Sequence, residues 1–229
     1  NLFGSLPDSW GSKMGNLTTM RFFATHLTGT LPETLSSLQR LRTLLLSGTY
    51  QNGTLPEALG ASLQSLESLT ISSTGISGTI PESFGSLVEL QSLAITANRL
   101  YGALPSSFSS LQKLQTIDLS SNRLNATLPN SWASMLNVTS IALSGNLLHG
   151  SIPLSFASMP MLKTLHLENN RLEGPLPPRL PLSLLSLLLS GNQINGTLPI
   201  SYVSDFPSLY SIDVSYNLLS GSLPAVNAT

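Results

Sequence analysis

Hydrophobic and polar residues alternate in short stretches that recur along the whole chain about every 24 residues. One unit runs from Leu90 to Pro105 and reads LQSLAITANRLYGALP, or more generally L-x-x-L-x-L-x-x-N-x-L-x-G-x-L-P. Within L-x-x-L-x-L the last two leucines alternate with other residues, a pattern typical of a half-buried β-strand. A proline closes each unit, at Pro7, Pro32, Pro56, Pro81, Pro105, Pro129, Pro153, Pro177, Pro199 and Pro224.

A repeat of this length and pattern predicts a leucine-rich repeat solenoid. One unit cannot bury its own apolar stripe, but stacked units share a continuous core. Parallel strands also need a crossover connection, which the rest of each repeat supplies. We therefore predict an α/β-type repeat solenoid, a curved leucine-rich repeat of about nine repeats of about 24 residues. We expect a concave parallel β-sheet and a convex side of short 3₁₀ or helical turns and loops.

An asparagine follows most of the expected strands, and its amide can bond to backbone groups of the turn and of the next coil. The three earlier coils carry Thr25, Thr49 and Thr74 there instead, so we expect them to be looser or differently turned. The asparagines stand at Asn98, Asn122, Asn146, Asn170, Asn192 and Asn217.

All variation in repeat length falls between the proline and the next leucine, on the expected convex side. The shortest such segment is Pro177–Leu184, where Pro178 and Pro181 exclude a regular helix. An aromatic residue recurs three residues after the proline, which predicts a buried, stacked column. Its members are Trp10, Phe84, Phe108, Trp132, Phe156 and Tyr202.

The G-x-[LI]-P element resembles the plant-specific type of leucine-rich repeat, found in plant receptor ectodomains and polygalacturonase inhibitors. In detail the segments LPDSWGSKMGNLTTMRF (6–22) and LPNSWASMLNVTSIAL (128–143) are most similar to the promastigote surface antigen family of kinetoplastid parasites. The matching residues are Trp10, Trp132, Met14 and Met135. The resemblance implies a secreted or surface protein that binds other macromolecules and normally carries Cys-containing caps.

The composition restricts the expected cellular location of the protein and the classes of partner it can bind. The chain has no cysteine and only 9% charged residues, with ten Lys and Arg against eleven Asp and Glu. We expect residues 1–229 to form a single leucine-rich repeat domain that lacks both caps, with any anchor outside this chain. We predict an extracellular or cell-surface location, no membrane span in this chain and no nucleic-acid partner, because the basic surface that nucleic acids need is missing.

The sequence offers little for catalysis. We predict no enzyme activity, no cofactor and no metal, since His26, His149 and His166 lack metal-ligand spacing. A triad of Asp118, Ser144 and His166 would join residues two repeats, or roughly 10 Å, apart, too far for a hydrogen-bonded relay.

Six Asn-x-Ser/Thr sequons predict N-linked glycans on the flanks and convex side, leaving the concave sheet bare. Three of them stand four residues before a proline. The six are Asn16, Asn52, Asn125, Asn137, Asn195 and Asn227.

The concave face is expected to be a smooth strip of Ser, Thr and Ala with a distinct patch at each end. Aromatic and charged residues on an exposed sheet are typical of binding hot spots. The N-terminal patch holds Arg21, Phe23, Arg42 and Leu45. The C-terminal patch holds Lys163, His166, Glu168, Leu188, Tyr210, Asp213 and Tyr216.

Our first hypothesis is a non-enzymatic recognition module that binds a protein or glycan through this face, in adhesion or in host or receptor recognition. The first alternative is a passive structural coat or spacer. Further alternatives are a polygalacturonase-inhibitor-like protein and an ice-binding protein. For ice binding, a hydroxyl column two residues before proline is interrupted at Ala103 and Pro175. It comprises Thr30, Thr54, Thr79, Thr127, Ser151, Thr197 and Ser222.

Overall fold

The computed structural model describes residues 2–206 and 208–224, apart from the side chain of residue 203. Each coil contributes one strand to a nine-stranded parallel sheet in which successive coils are neighbours. This sheet confirms the predicted leucine-rich repeat solenoid. Its strands are Thr19–Phe23, Thr43–Ser47, Ser68–Ser72, Ser92–Thr96, Thr116–Asp118, Ser140–Ala142, Thr164–His166, Ser186–Leu188 and Ser211–Asp213.

A second set of short parallel strands lies on one flank of the solenoid, which the sequence analysis did not predict. We call these strands the flank sheet; an isolated bridge between Thr54 and Ser77 connects its first and second groups. The three groups are Phe3–Ser5, His26–Gly29 and Tyr50–Gln51; Ser77–Gly78, Arg99–Gly102 and Arg123–Leu124; and His149–Gly150, Arg171–Pro175, Gln193–Gly196 and Leu218–Leu219.

The convex side consists of single helical turns that begin one or two residues after the repeat proline. Proline suits this place because its fixed φ is compatible with the entry into a helix and it has no N–H to leave unpaired. The 3₁₀ turns are Glu33–Ser37, Glu82–Ser86, Ser106–Ser110, Asn130–Ser134 and Leu154–Ser158, and the α-helical turns are Ser9–Lys13, Glu57–Ser62 and Ser201–Ser204.

The exception is the coil that begins at Pro177, as the prolines predicted. All its residues up to Leu184 are described, and none is helical. Leu154 and Leu182, which line a surface depression at this segment, are 67% and 72% exposed. Among the described residues, no helix has the length and apolar character needed to span a membrane.

The aromatic column forms the predicted spine under the convex turns. Phe84, Phe108, Trp132 and Phe156 are fully buried. The rings of Phe108 and Trp132 stack with centroids 5.9 Å apart, and Trp132 Nε1 donates to the carbonyl of Pro105 at 2.9 Å. The hydroxyl of Tyr202 donates to the carbonyl of Pro177 in the same way, at 2.9 Å. Each polar ring atom therefore links its coil to the one before.

The predicted asparagine ladder is present, but it connects each coil to the preceding one rather than to the next. Asn122 Nδ2 donates to the carbonyls of Ile95 and Leu119, at 2.7 and 3.1 Å. Its Oδ1 accepts from the N–H of Leu100 at 3.1 Å. The amide thus satisfies buried backbone groups that the short strands leave unpaired, the usual requirement for buried polar groups.

The expectation of differently turned threonine coils is wrong, and that of looser ones stays a prediction. The strands of these coils are five residues long, Thr43–Ser47 and Ser68–Ser72 pairing in register over their whole length. Every coil also turns through one residue with positive φ at the same place after its strand. These residues are Ala24, Gly48, Ser73, Ala97, Ser121, Gly145, Asn169, Gly191 and Tyr216.

Candidate functional site

The concave face presents two parallel columns of outward side chains, because the middle residue of each three-residue strand core points into the solenoid. The first column is Ser or Thr in all nine strands. Neighbouring hydroxyls bond to one another along it: Thr164 Oγ1 donates to Ser140 Oγ at 2.7 Å. The members are Thr19, Thr43, Ser68, Ser92, Thr116, Ser140, Thr164, Ser186 and Ser211.

The second column carries the chemical variety of the face. Its central members are small or short, and its ends are not. In chain order it reads Arg21, Leu45, Thr70, Ala94, Asp118, Ala142, His166, Leu188 and Asp213. The uniform first column therefore forms a hydroxyl background, and the second column carries most of the variety. In the five-residue strands a third outward position holds Phe23, Ser47, Ser72 and Thr96.

Three residues of the predicted C-terminal patch stand side by side in this second column. His166 lies opposite Leu188, and Leu188 lies opposite Asp213, on three adjacent strands. Parallel strands are about 4.8 Å apart, so the imidazole and the carboxylate flank an aliphatic side chain within about 10 Å. We call His166, Leu188 and Asp213 the C-terminal triplet.

Hydrogen bonds to hydroxyls orient the polar members of the patch. His166 Nε2 lies 3.1 Å from Ser186 Oγ. Asp213 Oδ1 accepts from the hydroxyl and the N–H of Ser215, at 2.7 and 2.9 Å. These bonds hold the pKa of the Asp213 carboxyl below its ordinary value, because they stabilise the charged form.

Glu168 adds a second carboxylate beside the triplet. It follows the strand Thr164–His166 by two residues, and its Oε2 accepts from Ser144 Oγ of the preceding coil at 2.9 Å. With Asp213 it makes this end of the concave face acidic. The face here combines negative charge with one half-buried leucine.

The other patch residues lie at the margins of the sheet, which corrects their predicted placement on the strands. Lys163 and Tyr210 each precede a strand by one residue. Tyr216 is the positive-φ residue of its turn, at 52°, and its side chain is 87% exposed. These three side chains therefore border the triplet on opposite edges rather than extending its column.

The N-terminal patch divides in a similar way. Arg21 lies opposite Leu45 on the first two strands of the sheet, and Phe23, 73% exposed, ends the first strand. Arg42 stands before its strand and forms an ion pair with Glu67 of the next coil. Arg42 is thus neutralised by a neighbour, and the basic character of this patch rests on Arg21.

The residues of the rejected triad each bond elsewhere. Asp118 Oδ1 accepts from the N–H of Ser120, Ser144 bonds to Glu168, and His166 to Ser186. Within residues 2–206 and 208–224, no three His, Asp or Glu side chains come together as potential metal ligands.

Five of the six sequons lie in the described residues, and all five asparagines are exposed. None stands on a concave strand. The exposed set is Asn16, Asn52, Asn125, Asn137 and Asn195, whereas Asn227 lies outside the described residues.

The sequence analysis missed one charged feature, on the flank sheet. Arg99, Arg123 and Arg171 directly follow a ladder asparagine and are all exposed. The recurring N-R-L triplet was the signal, but without the flank sheet nothing indicated that these arginines share a surface.

Comparison with known proteins supports the architecture. Models of the leucine-rich repeat family match residues 65–87, 88–148 and 112–172. None of the curated proteins matches the chain.

Several solved structures share the fold. The ectodomain of a TDR receptor is 30% identical, with a TM-score of 0.81, over 98% of this chain and 43% of that one. The Arabidopsis receptor kinase HAESA, in complex with the peptide hormone IDA and the co-receptor SERK1, is 32% identical, with a TM-score of 0.89, over 97% and 37%. A plant ice-binding protein is 28% identical, with a TM-score of 0.71, over 90% and 74%.

The chain is therefore a leucine-rich repeat domain, and plant receptor ectodomains are among its structural neighbours. It spans about two-fifths of the length of the two receptors.

Proposed function

We propose that this leucine-rich repeat domain is a non-enzymatic recognition module that binds a protein or peptide segment on its concave face. The observation that carries the proposal is the C-terminal triplet, which places a leucine between an imidazole and a carboxylate beside middle strands that present mainly small residues. A flat background with one distinctive cluster is what selective binding of an extended segment needs.

The charges of the cluster suggest the chemistry of the ligand. Glu168 and Asp213 leave this end of the face acidic, and Leu188 offers an apolar contact between them. We expect the preferred segment to carry a basic residue next to an aliphatic one, with Tyr210 packing against its edge. The peptide-hormone complex of HAESA supports a peptide as the occupant, since that ectodomain shares the fold.

Selection of random linear peptides on the immobilised domain tests the proposal. We expect basic-aliphatic sequences to be enriched, and their binding to fall at least tenfold when His166, Leu188 and Asp213 are all changed to Ser, because loss of the central contacts costs more than about 1.4 kcal/mol. The matched control changes Thr70, Ala94 and Ala142 of the same column to Ser and should bind normally. Enrichment that survives loss of the triplet would place the ligand elsewhere.

A domain that enriches no peptide and captures no protein would support the passive coat or spacer instead. In that case the triplet variant and the control would be indistinguishable in every binding assay. Both variants should fold, because the changed side chains lie on the solvent side of the sheet.

We also propose an extracellular or cell-surface setting, in adhesion or in host or receptor recognition. The receptor-ectodomain neighbour HAESA and the exposure of five sequon asparagines support it. Peptide mass spectrometry of the native protein tests this proposal. Glycans at Asn52 or Asn195 are expected, and a glycan-free native protein would count against it.

Ice binding is a second candidate, favoured by the plant ice-binding neighbour, of which this chain covers 74%. The hydroxyl column before the prolines is exposed along the solenoid. Its surroundings weaken the case, because Tyr101 and His149, both exposed, lie on the same flank and interrupt a flat array. A thermal-hysteresis measurement that shows no inhibition of ice growth would remove this candidate.

A further inference from the structure

The flank sheet exposes a row of arginines that the concave-face proposal does not use. Along its strands every second side chain enters the core, so Leu100, Leu124 and Leu172 are buried while the residues beside them point outward. Arg99, Arg123 and Arg171 occupy the same outward position in their coils. We call these three residues, with Tyr101 and His149, the arginine stripe.

The register of the flank strands places each of two arginines beside a ring. Arg123 lies opposite Tyr101, and Arg171 lies opposite His149. Neighbouring strands are about 4.8 Å apart, so the guanidinium groups can follow one another along the solenoid axis at intervals of one and two coils. Tyr101 is 54% exposed, and its ring offers an apolar surface between charged groups.

These cations have no anionic partner among the described residues. The two ion pairs found there involve Arg42 with Glu67 and Lys113 with Glu89. The strands of the flank sheet contain three arginines and one acidic residue, Glu173, although the whole chain has a net charge of −1. These strands therefore carry a formal net charge of +2.

We propose that the arginine stripe binds a linear anionic glycan, one whose sulfate or carboxylate groups recur along the polymer. Guanidinium groups bind such oxyanions with two parallel hydrogen bonds. A repeating ligand matches a repeating surface, and the exposed ring of Tyr101 can pack against a sugar face. An acidic protein segment is the alternative occupant, and the polyglutamate arm of the test below distinguishes it from a glycan.

Asn125 is a glycosylation sequon beside the arginine stripe, so a glycan on it would compete with binding to the stripe. It lies two residues after Arg123 on the same coil, and its Oδ1 accepts from the N–H of Gly102 at 2.8 Å. An N-linked glycan at this sequon would cover the arginines. The proposal therefore requires Asn125 to be unmodified in the native protein, and full glycan occupancy there would overturn it.

The chain of residues 1–229, produced in a host without N-glycosylation, can be tested on immobilised heparin, hyaluronate, neutral dextran and polyglutamate. We expect binding to heparin or hyaluronate and none to dextran. Binding to hyaluronate would show that carboxylate is sufficient, and binding to heparin alone would show that sulfate is required. Binding should weaken with added NaCl, because salt screens exposed charges. Absence of binding to both anionic glycans overturns the proposal.

Changing Arg99, Arg123 and Arg171 together to Ala should weaken binding about tenfold or more, since each exposed charge contact contributes roughly two- to fivefold. The charge-matched control changes Arg40, Lys113 and Arg179 to Ala, which lie off the flank sheet. An equal loss in the control would show a bulk charge effect and reject the stripe. Thermal unfolding checks that both variants are folded.

Two variants test the chemistry further. Replacing the three arginines by Lys keeps the charge but removes the bidentate fork, so intermediate binding is expected. Tyr101→Ala should weaken glycan binding and leave any polyglutamate binding unchanged. Binding of polyglutamate through the same arginines, as tight as that of the glycans, would identify an acidic protein segment as the partner and overturn the glycan assignment.

Discussion

The coils that carry Thr25, Thr49 and Thr74 and the coils from Asn98 onwards make the same turn with different hydrogen-bonding groups. In the threonine coils the strands are five residues long. From Thr116–Asp118 onwards the strands have three residues, and an asparagine amide supplies further links between coils. Longer strand pairing and ladder bonds are thus two ways of giving the backbone N–H and C=O groups around each strand end their hydrogen-bond partners.

In the threonine coils some polar atoms have no partner, because a threonine hydroxyl has one hydrogen to donate and an asparagine amide has two. Thr74 Oγ1 donates to Oδ1 of Asn98, which links the two kinds of coil. Thr49 Oγ1 donates to Oε1 of Gln51 in its own coil. Among buried side-chain atoms of the described residues, Thr25 Oγ1 and Gln51 Nε2 have no partner.

The convex turns differ between the two regions as well. Gly60 and Gly85 stand four residues after the proline in the coils of Thr49 and Thr74, and the asparagine coils have Ala133 and Ala157 there. The threonine coils also carry an acidic residue directly after the proline, Glu33, Glu57 or Glu82. The N-terminal coils therefore depend on close helix contact and on surface charge, and the later coils depend on the ladder.

The largest effect is expected for Asn146→Ala, in the middle of the ladder. Asn146 Nδ2 donates to the carbonyls of Leu119 and Leu143, and its Oδ1 accepts from the N–H of Leu124, each at 3.0 Å. The carbonyls of Leu119 and Leu143 also accept from the ladder amides of Asn122 and Asn170, so the substitution leaves one buried group, the N–H of Leu124, unpaired, at about 1–3 kcal/mol. It also removes two further hydrogen bonds at about 0.5–1.5 kcal/mol each, and we expect a total loss of about 2–6 kcal/mol. Urea unfolding followed by circular dichroism measures it.

The control for this change is Asn137→Ala, which removes one exposed hydrogen bond to the carbonyl of Gln112. It should alter the free energy of unfolding by less than about 0.5 kcal/mol. Equal losses in the two variants would mean that the ladder contributes no more than surface bonds, and the contrast between the regions would disappear.

The second-largest loss of stability is expected in the threonine coils. A Cβ at Gly60 would lie 2.5 Å from the carbonyl carbon of Ser83 and 2.6 Å from the nitrogen of Phe84, both backbone atoms of the next coil. Gly60→Ala should therefore push the turns Glu57–Ser62 and Glu82–Ser86 apart and cost about 2–3 kcal/mol, as overpacking does. Thermal unfolding measures the cost. Ala133→Ser, at the matching place, should be tolerated within about 1 kcal/mol, and a harmless Gly60→Ala would show that the coils can separate freely.

A stabilising substitution is expected at Gln51, whose side-chain amide is buried. Gln51 is fully buried at a position where neighbouring coils have Leu27 and Ile76. Replacing Gln51 by Leu and Thr49 by Val removes an unpaired donor together with the hydroxyl that bonds to it, and we expect a gain of about 1–3 kcal/mol. The midpoint of urea denaturation should rise. The reverse change, Ile76→Gln, should lower it, and a loss in the double variant would indicate that the pair has partners beyond each other.

The repeat pattern was sufficient for the strands, the spine and the ladder because each requires one residue type at one spacing. Leu93 and Ile95 alternate with small residues, and Phe108 and Trp132 follow a proline by three residues, so periodicity alone identified them. The direction of the ladder was predicted wrongly, since an asparagine can bond to the coil on either side. Only the stacking order decides that Asn122 bonds to Ile95 and Leu100.

The candidate sites were harder to predict, because a one-residue shift moves a side chain from the face of the sheet to its margin. His166, Leu188 and Asp213 were predicted together and lie together. Tyr216 was placed with them but belongs to the turn, where its positive φ follows from its place and not from its residue type. The arginine stripe was not predicted because short strands such as Arg123–Leu124 are stabilised by neighbouring coils and carry little pattern of their own.

The smallest effect concerns acid stability and the acidic residues of the threonine coils. Burial of the Glu82 carboxyl raises its pKa, but hydrogen bonds from Ser107 and Ser106 outweigh this and hold the pKa below the ordinary value of 4.5. The two N–H groups donate to its oxygens at 3.0 and 3.2 Å and begin the convex turn Ser106–Ser110. The charged carboxylate therefore links two coils.

Because the folded pKa lies below the unfolded one, this link stabilises the fold above the unfolded pKa and is lost as the pH falls through the folded pKa. Glu82→Gln should be less stable than the parent near pH 7, and the difference should shrink as the pH is lowered from about 5 through the folded pKa, since the neutral amide no longer titrates. Thermal unfolding across this range measures it. Glu57→Gln is the control, as the Glu57 carboxylate accepts no hydrogen bond among the described residues, so its pH profile should parallel that of the parent. A parallel profile for Glu82→Gln as well would show that the convex turns of the threonine coils are held by packing at Gly60 and Gly85 and not by charge.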